Sequence, residues 1–139
     1  MLISELSRSL IEIAWYFGSK GLNENCCEDL SMSEFIALDK ISSTVDCPIQ
    51  EIGQTLGFTK SGSTRIVNRL EKKGYVRKLI STEDARICCV VITEKGEEII
   101  KKSDIGYIEK FDQLLEKMPE KFHQETKVVL KAIAKAIKK

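Results

Sequence analysis

The sequence predicts a mainly α fold with one small β-hairpin, in which a helix-turn-helix and the hairpin form one lobe and longer helices flank it. Three observations carry that prediction. The 139 residues contain only 2 Pro and 8 Gly, with 42% hydrophobic and 31% charged side chains, a balance that suits a globular chain with room for long helices. Residues 59–78, TKSGSTRIVNRLEKKGYVRK, separate cleanly at 100° per residue. Lys60, Ser61, Thr64, Arg65, Asn68 and Lys72 fall on one stripe, and Ser63, Ile66, Val67 and Leu70 lie opposite. Two β-prone stretches, 75–80 and 87–92, are spaced by the polar STEDAR, the length of a hairpin loop.

Each element follows from local signals. Ile3, Leu6, Leu10, Ile13 and Phe17 recur at spacings of three and four, a narrow apolar seam of the kind that faces a partner helix. Trp15 and Tyr16 add aromatic area beside it, Gly18 and Gly21 end the helix, and GLNENCCEDL reads as a loop. Ser31 and Glu34 fit a capping box, opening a helix with Met32, Phe35, Ile36, Leu38 and Ile41. Pro48 is expected in the first turn of the next helix, where its missing N–H costs nothing. That helix buries Ile49, Ile52 and Leu56, stops at Gly57, and carries Gly53 where a second helix crosses closely. Thr59 then N-caps the basic helix, so the two are joined by a turn tight enough for a helix-turn-helix. Gly62 costs that helix roughly 1 kcal/mol relative to Ala, which suggests a close approach to a neighbour or a phosphate. Gly74 caps its end. After the hairpin, Thr93 caps a long helix whose first turns hold Glu94, Glu97 and Glu98, as the macrodipole prefers. Ile100, Ile108, Phe111, Leu115 and Met118 mark it as far as Pro119, and Gly106 is a place for it to bend. A last helix from about Glu120 sets Val129, Leu130, Ile133 and Ile137 on one face. The first helix and the last two therefore keep apolar seams once the central lobe has its core, and a homodimer through the termini is the economical way to cover them.

Charge is concentrated. Between Lys60 and Lys78 seven Lys or Arg face a single acid, Glu71, for a local charge of +6 against +1 for the whole chain. A basic helix on an otherwise acidic protein is a surface suited to phosphates. No apolar run approaches the roughly 20 residues of a membrane span, so no membrane partner is expected. The start, MLISELSRSL, lacks the basic and apolar regions of an export signal. Five cysteines, with two adjacent pairs, do not make a secreted disulfide framework, and the cytoplasm is the expected location. Enzyme chemistry is not foreseen, because no phosphate-cradling glycine motif, HExxH, or Ser or Cys with a nearby His is present. Neither a cofactor nor a metal is expected; the one His, His123, is far in sequence from the cysteines and reads as an exposed helix residue.

LSMSEFIALDKI (30–41), IQEIGQTLGFTKSGSTRIVNRLEKKGYVRK (49–78) and DARICCVVITEKG (84–96) stand in order and carry a likeness that runs over almost the whole length, from the helix at Leu2 to the end. With the pattern Asp84, Arg86, Val90, Ile92, Thr93 and Gly96, the sequence resembles the MarR family of winged helix-turn-helix transcriptional regulators. The resemblance implies one MarR-like chain over 1–139, with a DNA-binding lobe at 31–93 and dimerisation helices at 1–20 and 94–139. It implies a two-fold dimer, a recognition helix at 59–74 in the major groove of double-stranded DNA, and a wing arginine, Arg86, at the adjacent minor groove. Family wings often carry two consecutive basic residues where this chain has Arg86-Ile87, and a tip Pro is absent, so fewer wing contacts are expected. In this family effectors often bind between the two lobes; Trp15, Tyr16 and Phe35 are candidates to line such a pocket, with core packing as the alternative.

The residue roles follow from donor chemistry. Arg65 and Asn68 are the candidates for base edges, which need directional donors and acceptors. Lys60, Ser61, Thr64, Arg69 and Lys72 are better suited to phosphates, and Thr59 at the helix start adds backbone donors. Asp84 would hold Arg86 for the electronegative minor groove, against the alternative of a simple surface ion pair. Cys26, Cys27 and Cys47 keep open a second reading, a thiol-based redox or thiophilic-metal sensor of the same fold. Acidic neighbours around Cys26 and Cys27 disfavour the thiolate, and Cys47 near a helix start is better placed for one. A third reading is a winged-helix protein-interaction module that does not bind DNA.

Overall fold

A computed structural model describes residues 2–18, 30–80 and 87–138. In chain order its elements are α1 (Leu2–Phe17), α2 (Met32–Ser42), α3 (Ile49–Leu56), α4 (Lys60–Lys72), β1 (Val76–Ile80), β2 (Ile87–Ile92), α5 (Glu94–Lys117), a 3-10 turn (Glu120–Phe122) and α6 (His123–Ile137). The chain forms two compact units, Met1–Gly106 and Tyr107–Lys139, the boundary falling inside α5. The mainly α fold with a single antiparallel hairpin is the one the sequence predicts.

The first unit is built around one hydrophobic core. Leu30 and Ala37, Leu38 and Ile41 of α2, Ile52 of α3, Ile66, Val67 and Leu70 of α4, and Tyr75, Val76 and Val90 around the hairpin are all buried. Burying each large aliphatic side chain contributes about 1.5–3 kcal/mol relative to leaving it exposed. Ile49 and Leu56, expected inside, are half-buried and pack on the edge of this core.

Capping sets the boundaries. At Ser31 the capping box is complete: the hydroxyl accepts from Glu34 N at 3.2 Å and the Glu34 carboxylate accepts from Ser31 N at 3.2 Å. Pro48 is the N-cap of α3, one place before the expected first turn; its extended ψ of 142° leaves it outside the helix. α3 ends at Gly57 with φ 70°, the left-handed conformation that glycine accepts without a Cβ penalty. α4 begins at Thr59, whose hydroxyl accepts from Gly62 N at 3.1 Å. It ends through Gly74 (φ 85°), which lets Tyr75 N donate back to Leu70 O at 2.9 Å.

The crossing of α3 and α4 rests on small residues. A Cβ on Gly53 would collide with the Ser63 hydroxyl, and Ser63 is buried with its Oγ donating to Thr59 O at 2.8 Å. The close crossing expected at Gly53 is therefore present. Gly62 answers to its own cap: a Cβ there would press on Thr59 Oγ1 at 3.3 Å and on Phe58 Cβ at 3.5 Å. The hairpin pairs Val76 with Ile92 through Ile80 with Ile87, with a bulge between Leu79 and Ile80. One feature has no sequence signal: Cys47 pairs with Val90 through both backbone bonds, at 3.1 and 2.8 Å. The break at 45–47 thus runs as a single bridge along the second edge of β2.

α5 is helical over 24 residues, about 36 Å at 1.5 Å per residue. Thr93 caps it by accepting from Gly96 N at 3.1 Å. In the second unit His123 is half-buried, not exposed as expected, because its Nε2 donates to Met118 O at 3.0 Å and closes the end of α5.

Candidate nucleic-acid interface

The polar stripe of α4 stands where the sequence puts it, and the buried face explains why. Ser63, Ile66, Val67 and Leu70 are buried, so the opposite face is turned outward. Lys60, Ser61, Arg65, Asn68, Arg69 and Lys72 are exposed, and Thr64 is half-buried. Thr59, Lys60, Ser61, Thr64, Arg65 and Asn68 together line one open concavity. Arg69 and Lys72 are exposed on the same helix beyond that lining. The wing pair Asp84 and Arg86 lies outside the described residues, as do Cys26 and Cys27.

Hydrogen bonding narrows what each side chain can offer. Thr64 Oγ1 donates to Lys60 O at 3.0 Å, so its hydroxyl keeps only acceptor capacity. Thr59 and Ser61 share a hydroxyl contact at 3.2 Å at the helix start. There the first backbone N–H groups and the partial positive charge of the helix favour an anion. Asn68 Oδ1 accepts a hydrogen bond from Lys78 Nζ on β1. Lys78 Nζ also lies 3.4 Å from Glu71 Oε1, and Lys78 N donates to Glu71 Oε2 at 3.3 Å. The Lys78–Glu71–Asn68 cluster was not read from the sequence. Its only signal is that a strand leaving Gly74 must run back beside the last turns of α4.

The end of α4 is fixed from below. Lys73 Nζ meets Glu34 Oε2 at 2.8 Å, joining the start of α2 to the end of α4. Burial alone would raise the Glu34 pKa, but the Lys73 ammonium and the Ser31 hydroxyl and amide outweigh it and hold the carboxyl below its ordinary value. Lys95 Nζ donates to Lys73 O at 3.0 Å, and Thr93 Oγ1 to Gly74 O at 2.6 Å.

The remaining candidates are scattered. Phe35 packs on the core of the first unit, Trp15 is more than half exposed on α1, and the Tyr16 and Phe17 rings meet edge to face with centroids 5.0 Å apart. Cys47 is fully buried. Burial pushes its thiol pKa up, Glu51 adds to the rise, and Lys40 and Thr44 offset it only in part. The thiolate that oxidant chemistry needs is disfavoured there, contrary to the expectation from its place near a helix start. Among the described residues no cluster of three or more His, Cys, Asp or Glu could hold a metal ion. No described helix is long and apolar enough to cross a membrane.

Comparison with known proteins agrees with this geometry. The MarR family model matches residues 30–88, the lobe that carries α2 to β2. The transcriptional repressor MprA of Escherichia coli is 31% identical over 86 residues, which is 60% of this chain and 44% of that protein. The chain spans about half the length of the curated relatives it matches. Among solved structures, a MarR family protein from Bacillus stearothermophilus superposes with a TM-score of 0.79 at 20% identity, covering 99% of this chain and 96% of the other. FabT from Streptococcus pneumoniae, solved in complex with DNA, gives 0.71 at 22% identity, with 96% and 92% covered. The lobe at 30–88, a helix-turn-helix with an outward basic stripe and a hairpin after it, thus matches the MarR family model, and the chain has the fold of a solved MarR family protein.

Proposed function

We propose that the chain acts as a homodimeric, sequence-specific DNA-binding regulator in the cytoplasm, a repressor whose hold on a pseudo-palindromic operator is relieved by a small-molecule effector. The carrying observation is the α4 face. Five polar or cationic side chains of α4 share one concavity with the helix N-cap, directly opposite a fully buried apolar face. In this reading 31–93 is the DNA-binding lobe, and 1–20 and 94–139 are dimerisation helices. Arg65 and Asn68 read base edges, and Thr59, Lys60, Ser61, Thr64, Arg69 and Lys72 position the helix on phosphates. Arg86, steadied by Asp84, enters the minor groove. MprA, a named repressor, supports the sign of regulation, and the FabT complex supports duplex DNA as the partner. An effector bound near Trp15, Tyr16 and Phe35 would act by favouring a lobe spacing that no longer fits successive grooves.

The test is binding to a pool of random-sequence duplexes, followed by fluorescence anisotropy at increasing salt. Affinity is expected to fall by about 0.9 power of salt for every phosphate neutralised. Absence of binding even at low salt would remove the proposal and favour a protein-interaction module instead.

A further inference from the structure

Asn68 carries a side chain whose two ends are nearly the same shape and opposite in chemistry, an acceptor oxygen and a two-donor nitrogen. Turned over, it would read a different base. The structure shows what decides the turn. Lys78 Nζ donates to Asn68 Oδ1, and an ammonium has donors only, so the oxygen must face it. Lys78 is itself anchored: Glu71 Oε1 lies 3.4 Å from its Nζ, Glu71 Oε2 accepts from its backbone N at 3.3 Å, and its side chain is only 18% exposed. No described residue accepts from Asn68 Nδ2, which leaves two N–H donors to the concavity that Asn68 lines.

We infer that Lys78 is a positioning residue that sets the base preference of Asn68, directing its amide donors at a base edge made of acceptors, guanine N7 and O6 foremost. The inference rests on the DNA-binding reading above. In the major groove guanine offers acceptors alone, adenine sets an amino donor beside its N7, and cytosine presents an amino donor. Bidentate reading of adenine needs the asparagine oxygen at the base; here that oxygen is held by a cation whose charge also repels an amino group. The competing role for Lys78 is a plain phosphate contact. Its low exposure and its pairing with Glu71 oppose that, because a compensated ammonium draws a phosphate weakly.

The experiment starts from duplexes selected out of a random-sequence pool by the wild-type protein. The best site and its single-base variants are then bound to wild type, Lys78→Met, Lys78→Arg, Asn68→Ala and, as a phosphate-type control, Lys72→Met. Wild type is expected to prefer guanine at one position of each half-site by roughly tenfold or more. Lys78→Met should cut that preference to about twofold or less while leaving the salt slope at the wild-type value. Lys78→Arg should retain the preference, and Lys78→Met should add nothing to Asn68→Ala. Lys72→Met should weaken every duplex alike and lower the slope by about one. If Lys78→Met behaves like Lys72→Met, or keeps the full base preference, the inference is overturned while DNA binding stands. Failure of the wild type to bind the pool at low salt would overturn both. Should circular dichroism show Lys78→Met unfolded, Lys78→Gln, which keeps most of the stem, replaces it with the same two opposed outcomes.

Discussion

Glu34 is buried to within 4% of full cover, yet it is the acid that ties the start of α2 to the end of α4. Its capping bond to Ser31 N survives in Glu34→Gln, because the amide oxygen still accepts, but the charge facing Lys73 is lost. A hydrogen bond to a charged group contributes about 1.5–3 kcal/mol, and Glu34→Gln is expected to lower stability near neutral pH by that amount. The sign with pH follows from the depressed carboxyl. Its stabilisation is complete above the ordinary value of 4.5 and is lost as pH falls from there through the lower folded value. Urea midpoints of wild type and variant should therefore converge in acid; a gap independent of pH would show that the charge is not what the site uses. Half of this site was legible beforehand. Ser31 and Glu34 sit three apart and announce a capping box, whereas Lys73 is 39 residues from Glu34 and no local pattern joins them. Asn68 and Lys78 repeat the lesson: the donor stripe follows from helical period, but the partner that orients it arrives with the strand.

Helix ends explain how α4 is kept at a fixed attitude. The turn after it is gripped by the start of α5. Thr93 N donates to Tyr75 O at 2.9 Å, Thr93 Oγ1 reaches Gly74 O, and Lys95 stands over the Tyr75 ring at 5.4 Å. Gly96 makes that grip possible, since a Cβ there would run into the Tyr75 carbonyl and lie 2.8 Å from Ile92 Cγ1. Gly96→Ala gains up to about 1 kcal/mol of helix propensity but must displace backbone. Overpacking of this kind costs about 1–3 kcal/mol, so a net loss of stability is expected and, under the proposed function, weaker DNA binding as α4 shifts. A urea midpoint equal to or above wild type would show that the contact yields freely. Most element boundaries were readable because caps and glycines announce them: Ser31, Gly57, Thr59, Gly74 and Thr93 all stand where the sequence indicates. The bridge from Cys47 to Val90 was not readable, since a single pair of backbone bonds imposes no periodicity on side chains.

Of the apolar seams foreseen at the termini, those on α1 and α6 are exposed, whereas along α5 Leu115 is buried, Ile100 and Phe111, with Met118 just past its end, are half-buried and only Ile108 is exposed. On α1, Leu6, Leu10 and Ile13 are 62%, 65% and 52% exposed; on α6, Val129, Ile133 and Ile137 are 52%, 49% and 76% exposed. Scattered exposed leucines are ordinary, but runs at helical spacing on two helices exceed what a monomer normally leaves in water. That pattern is the physical basis for proposing a homodimer through 1–20 and 94–139. A two-fold axis places each substitution in the interface twice, so Ile133→Glu would bring in two carboxylates with no designed partners. With tenfold in affinity for each 1.4 kcal/mol, a loss of at least roughly 100-fold in dimer affinity is expected. Sedimentation equilibrium measures it directly, and Leu10→Glu on α1 should act in the same direction. DNA supplies the decisive comparison, because Ile133 and Leu10 lie outside the α4 face. If two recognition helices must meet half-sites about one helical turn apart, the dimer-breaking variants should lose most of their preference for the selected operator. They should retain the weak, salt-sensitive binding that one lobe gives on any duplex. A wild type that sediments as a monomer at micromolar concentration, or a monomeric variant with undiminished operator preference, would mean that each lobe reads DNA alone and that the seams serve another contact.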